Sequence, residues 1–264
     1  MINMDTKIEK ALELFKKKEY EKAIDAFVSI LETVQDNAEL YNNLALCYSY
    51  TGAFEQAEKF YLKAITINPK LVQIYINLAD LYFKQGNFTY AIDLLQAASY
   101  EMPENLIIAH YLARVYIEDS RLDLAIDELE KILEAQPENY DAYYDLGRVH
   151  FEMGNYELAI ANFENVLQFK EDNEWIFYYL GQAYEANNEV DKALTNHMKA
   201  IGLNETFYPA YKKLGILFLA RNDYDDALEY FEEYVKFDLP EDEIANTKKV
   251  IDRINKVKCG KCSE

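Results

Sequence analysis

Small and apolar residues recur along this chain with a short period nested inside a long one. Within each 34-residue stretch, apolar or small side chains fall at offsets 4, 7, 8 and 11, and again at 17, 20, 24, 27 and 28. In the second stretch these are Tyr41, Leu44, Ala45 and Tyr48, then Phe54, Ala57, Tyr61, Ala64 and Ile65. Steps of three and four residues mark one face of an α-helix, so each stretch predicts two amphipathic helices.

The long period is strict. Alanine stands at Ala23, Ala57, Ala91, Ala125, Ala159, Ala193 and Ala227, 34 residues apart without insertion or deletion. Twelve residues upstream of each lies another small residue: Ala11, Ala45, Ala79, Ala113, Gly147, Gly181 or Gly215. Small residues at both offsets let two helix backbones approach, while the bulky residues at offsets 4, 11 and 24 fill the flanking grooves. Between the two stripes stand Gly52, Gly86, Gly154, Asn188 and Asn222, residues that accept a left-handed turn. Pro69, Pro103 and Pro137 follow the second stripe, where proline prevents continuation. Asn105, Asn139 and Asn173 precede the next first helix as candidate N-caps.

This combination resembles the tetratricopeptide repeat, W-x2-L-G-x2-Y followed by A-x3-F-x2-A and proline. The resemblance covers residues 4–241 as seven units, 4–37, 38–71, 72–105, 106–139, 140–173, 174–207 and 208–241. It implies an all-α fold, a right-handed α-solenoid in one domain, with first helices lining a concave groove and second helices facing outward. Departures from the pattern fall at particular places. Lys7 and Lys10 replace large apolar residues in the first unit, as a terminal repeat with a wet face requires. Gln35, Glu171, Glu205 and Leu239 stand where the family often has proline, and Lys18 and Ser120 occupy turn positions less suited to them. Beyond the repeats, residues 241–258 place Ile244, Ile251, Ile254 and Val257 on one face, predicting an amphipathic capping helix followed by a flexible tail, 259–264.

Composition narrows the function. A formal charge of −20 repels nucleic acid and anionic lipid, leaving basic or amphipathic protein partners compatible. Neither a hydrophobic leader in residues 1–7 nor any apolar run long enough for a bilayer stands out, so a soluble, cytoplasmic protein with no membrane association is expected. Cys47 reads as a small buried hydrophobe. Cys259 and Cys262 form a lone CxxC without a second pair or nearby histidine, which reads as a thiol pair on the tail, with a metal or disulfide shared between two chains as the alternative.

No catalytic constellation, phosphate-binding loop or metal motif is present, and the chain reads as a non-enzyme without cofactor or metal. His150 and His197 stand at aromatic positions of the repeat and read as packing residues with satisfied rings. Only His110, near Asp141 and Tyr144, offers an enzymatic alternative.

The resemblance implies that first-helix offsets 2, 5, 6, 9, 12 and 13 face the groove. The candidate partner-binding residues there are Asn43, Asn77, His110, Tyr111, Arg114, Tyr144, Arg148, Trp175, Tyr178, Tyr179 and Gln182, with Lys212 and Lys213 in the seventh unit. Arg114 and Arg148 share offset 9, and two guanidinium groups could grip a carboxylate. The alternative is that they pair internally with Asp80, Asp145 or Glu118. Tyrosine and tryptophan beside them are the residue types that dominate binding hot spots. The carboxylate clamp of chaperone-tail binders is absent: only Asn43 and Asn77 match it, the flanking positions holding residues such as Ile8, Leu46, Gln73 and Tyr111. The expected function is an adaptor that holds a peptide or helix of a partner protein in its groove. The alternative is a scaffold that self-associates into a homo-oligomer through the C-terminal helix and tail.

Overall fold

The computed structural model describes residues 4–170 and 173–261. Among the described residues there are fifteen helices and no strand. The chain divides into two compact units, residues 1–134 and 135–264, within what the repeat register alone presents as one array.

The first unit holds α1 (Met4–Lys16), α2 (Tyr20–Leu31), α3 (Ala38–Tyr50), α4 (Phe54–Ile67), α5 (Val72–Lys84), α6 (Phe88–Glu101), α7 (Leu106–Glu118) and α8 (Leu122–Ala135). From the second repeat onward the helices of each pair begin at offsets 1 and 17. Hairpin turns supply the break between them. Gly52 and Gly86 adopt φ of 80° and 72°, and Lys18 and Ser120 take the same left-handed region at 62° and 57°. Left-handed backbone in a lysine or a serine is uncommon, and it persists here because helices on both sides fix the turn. The core is built from the predicted small and bulky rows: Ala45, Ala57, Tyr61, Ala64, Ile74, Leu78 and Leu81 form one cluster. Cys47 is fully buried within a neighbouring cluster, as its position predicts, and burial pushes its thiol up to about 12. Lys7 and Lys10 are exposed on α1, consistent with a terminal face in water.

The second unit holds α9 (Tyr140–Glu152), α10 (Tyr156–Phe169), α11 (Glu174–Ala186), α12 (Val190–Leu203), α13 (Tyr208–Ala220), α14 (Tyr224–Tyr234) and α15 (Glu241–Lys261). Here glycine replaces alanine at offset 8, and the reason is steric. A Cβ on Gly147 would come within 2.6 Å of the Phe163 ring, and one on Gly215 within 2.7 Å of Phe231. Each ring lies directly on the backbone of the partner helix.

Asparagine caps work as expected. Asn105 accepts from the backbone N–H groups of Ile107 and Ile108, Asn139 from Ala142, and Asn173 from Trp175. Such caps contribute roughly 0.5–2 kcal/mol each. Asn37 does the same for α3 through Leu40. Helix α15 packs Ile254 into a cluster with Ala227 and Phe231. It continues through Cys259 to Lys261, past the predicted end at 258, while Cys262 and Glu171 lie outside the described residues.

Candidate functional site

In the first unit the candidate residues sit on α3, α5 and α7. Asn42 and Asn77 form a side-chain bridge between adjacent repeats: the Asn77 Nδ2 donates to Asn42 Oδ1 at 2.8 Å, and Gln73 Nε2 donates to Asn77 Oδ1 at 2.9 Å. Asn42 is buried and Asn43 half-buried, so this amide ladder braces two repeats rather than standing open. The Arg114 guanidinium lies over the Tyr111 ring at 5.6 Å. Desolvation raises the Asp80 carboxyl above its ordinary range, with Lys84 and Arg114 pulling in the other direction. His110 is half-buried on α7, whereas Asp141 and Tyr144 belong to α9 of the second unit.

In the second unit the rings gather. Trp175, the one tryptophan of the chain, is 45% exposed. Its indole meets Phe207 edge-on at 4.8 Å, Tyr178 at 6.1 Å and 90°, and Tyr179 at 6.1 Å and 31°. Behind it, Tyr179 stacks on Phe163 at 5.7 Å, and Tyr144 meets Tyr179 at 5.7 Å and 68°. Such edge and offset geometries are the favourable ones for aromatic quadrupoles. Burial, then a hydrogen bond with Tyr179, holds the Tyr144 hydroxyl well above its ordinary range; burial also raises the Tyr178 hydroxyl, opposed by a hydrogen bond with Gln182. Arg148 is braced rather than loose. Its guanidinium sits over Tyr144 at 6.0 Å and 3.7 Å from the buried Asp145 carboxylate. The internal pairing weighed from the sequence is thus present for Arg148 with Asp145.

Lys212 and Lys213 are committed elsewhere. Lys213 pairs with Glu185 of the preceding repeat at 2.8 Å, and Lys212 pairs with Glu243 of α15 at 2.5 Å. His197 corrects the sequence reading. It packs where an aromatic belongs, fully buried, but neither ring nitrogen has a hydrogen-bond partner. Burial, with a smaller contribution from Lys213, pushes its pKa down to about 3, so the ring is neutral.

Phe207 is a residue that the sequence reading passed over. It occupies offset 34, where Asn37, Asn105, Asn139 and Asn173 cap helices, and it makes no side-chain cap of α13. Pro209, in the first turn, lacks an N–H that would need a cap. The buried phenyl instead supports Trp175 and Tyr178 from below. Its break with the asparagine row, shared with Leu71 ahead of α5, was the available signal. Among the described residues, no group of three or more histidine, cysteine, aspartate or glutamate side chains is placed to hold a metal ion, and no helix is long and apolar enough to cross a membrane.

These hairpins define an all-α repeat protein of the solenoid class. Sequence profiles described as tetratricopeptide repeat match residues 38–71, 60–93, 83–146, 116–161 and 210–243, and one described as TPR repeat matches 147–188. The chain belongs to the tetratricopeptide repeat family. No curated protein matches it in sequence. Among solved structures, the C-terminal part of a TPR repeat-containing protein from Cytophaga hutchinsonii is 19% identical, with 90% of this chain and 98% of that one covered and a TM-score of 0.70. A tetratricopeptide repeat protein from Parabacteroides merdae is 19% identical, with 94% and 98% covered and a TM-score of 0.68. YrrB, described as a TPR protein with an unusual peptide-binding site, is 24% identical, with 71% and 96% covered and a TM-score of 0.56. At these identities the likeness is one of fold.

Proposed function

We propose that this protein is a non-enzymatic interaction scaffold whose first helices hold a peptide or helix of a partner protein. The observation that carries this reading is Trp175, nearly half exposed, standing on a base of Tyr178, Tyr179 and Phe207. A rigid, pre-formed aromatic platform loses little conformational entropy when a ligand covers it. In the proposed complex the rings bury apolar side chains of the ligand, and Gln182 and the outer edge of Arg148 meet its polar groups. In the first unit, taken by itself, Arg114 on its tyrosine is the proposed contact for an acidic or C-terminal group, with Asn43, His110 and Tyr111 on α3 and α7 as further contacts and Asn77 bracing α5 against α3. A reducing, cytoplasmic setting suits the buried thiol of Cys47.

The test is affinity capture from native lysate with wild type, Trp175→Ala and the Arg114→Glu, Arg148→Glu pair, each checked for native helicity and melting. Loss of the same captured protein in both variants is expected. Undiminished capture by folded variants rejects the assignment.

A further inference from the structure

The seventh hairpin departs from its neighbours at one position of its first helix. Offset 9 is apolar in the first two repeats, Leu12 and Leu46, and polar in repeats three to six, Asp80, Arg114, Arg148 and Gln182, whereas the seventh returns to an apolar residue, Ile216, 42% exposed. Helix α15 rises beside it. Between α13, α14 and α15 lies a cleft of about 480 Å³, its apolar lining Ile216, Leu219, Phe231, Pro240 and Val250. That volume lies in the range of ligand sites, roughly 300–1,000 Å³.

The cleft has an acidic edge formed by Asp242 and Glu243, with Asn246 and Thr247 beside them. Lys212 is the cation in the lining, and it is already paired with Glu243 Oε1 at 2.5 Å. The same oxygen accepts from the Tyr234 hydroxyl at 2.5 Å. Glu243 is therefore neutralised, and Asp242 leaves the rim negative. Farther along α15, Ile254 and Ile251 pack on Ala227 and Phe231, and Val257 near its end is exposed. The cleft is the space between the first turns of α15 and α13.

We propose that this cleft docks a basic amphipathic segment of a partner protein. Aliphatic side chains of the segment lie against Ile216, Leu219 and Val250, and a lysine or arginine sits at Asp242. Charge selects this occupant: an acidic segment meets like charge, and a second copy of a chain carrying −20 meets the same repulsion. The site is separate from the ring platform of α9 and α11 and does not depend on it.

The test uses the full chain with isotope-labelled Ile, Leu and Val methyl groups. The probe is a 14-residue peptide with leucines at helical i, i+3, i+4 spacing and lysines elsewhere, compared with its glutamate counterpart. Saturable shifts at Ile216, Leu219 and Val250 are expected with the lysine peptide alone. Ile216→Asp should weaken binding about tenfold or more through lost apolar contact, although it adds an attractive charge. Asp80 already occupies the same offset of the third repeat, so the fold accepts aspartate there. Asp242→Lys should weaken binding as well. Shifts spread over acidic surfaces with the Ile216 methyl unmoved would overturn the proposal. So would full affinity in the Ile216→Asp variant, equal binding of the glutamate peptide, or self-association in sedimentation that Ile216→Asp abolishes.

Discussion

The imidazole of His197 rests on the backbone of Gly181 so closely that a Cβ at Gly181 would lie 2.5 Å from the ring. Ring and glycine are both buried, so an added Cβ must shift packed neighbours. Gly181→Ala therefore gains about 1 kcal/mol of helix propensity but incurs an overpacking cost of roughly 1–3 kcal/mol. A net loss of stability is expected by urea denaturation. In a His197→Ala background the ring is gone, and the same alanine should become stabilising.

His197 also makes acid stability predictable. Its pKa is about 3 in the folded chain against 6.5 for the free side chain. The unfolded chain thus binds a proton first as pH falls, and stability declines between about pH 6.5 and 3 at up to about 1.4 kcal/mol per unit. Above that window the group has no effect. His197→Phe should flatten this part of the profile and raise stability at pH 7, since two unsatisfied ring nitrogens disappear. Phe163 and Phe231 show that phenyl fits against glycine at the equivalent positions.

The Asn42–Asn77 bridge should couple two repeats. Asn77→Ala removes the donor held at 2.8 Å and leaves the buried Asn42 oxygen unpaired, a cost of roughly 1–3 kcal/mol. Asn42→Ala on top of it should cost little more. A double-mutant cycle by chemical denaturation checks this, and strict additivity would deny the coupling.

Glu243 anchors α15. Hydrogen bonds from Lys212 first and then Tyr234 hold its carboxyl below the ordinary carboxylate range. The anchor is thus fully present above about pH 4.5 and lost as pH falls through the lowered value. Glu243→Gln should speed amide exchange across residues 241–261 at neutral pH while leaving α9 to α12 protected. Hydrogen-exchange mass spectrometry reads both.

Trp175 is a built-in reporter. Binding of a partner peptide on the ring platform should shift its emission to the blue as water is displaced, with no other tryptophan to confuse the signal. Phe207→Ala, which removes its support at 4.8 Å, should weaken that binding without touching the ligand.

Hairpin boundaries, turns and asparagine caps were legible in the chain because each depends on residues close in sequence. Gly52, Asn188 and Asn105 act on their own helix ends. The candidate site was legible only as a set of offsets. That Arg148 faces Asp145, that Lys212 serves α15 and that Phe207 underlies Trp175 are facts about neighbours 3, 31 and 32 residues apart. Of these, the first was open from the sequence as an alternative, the others were not.

A 34-residue rhythm of small and bulky side chains was enough to settle the helix pairs and their family, since backbone spacing leaves so few ways to bury that pattern. Which polar side chains remain available for a ligand was decided by tertiary packing. A charge or a ring is free or spent according to what stands opposite it, and the opposite residue belongs to another helix.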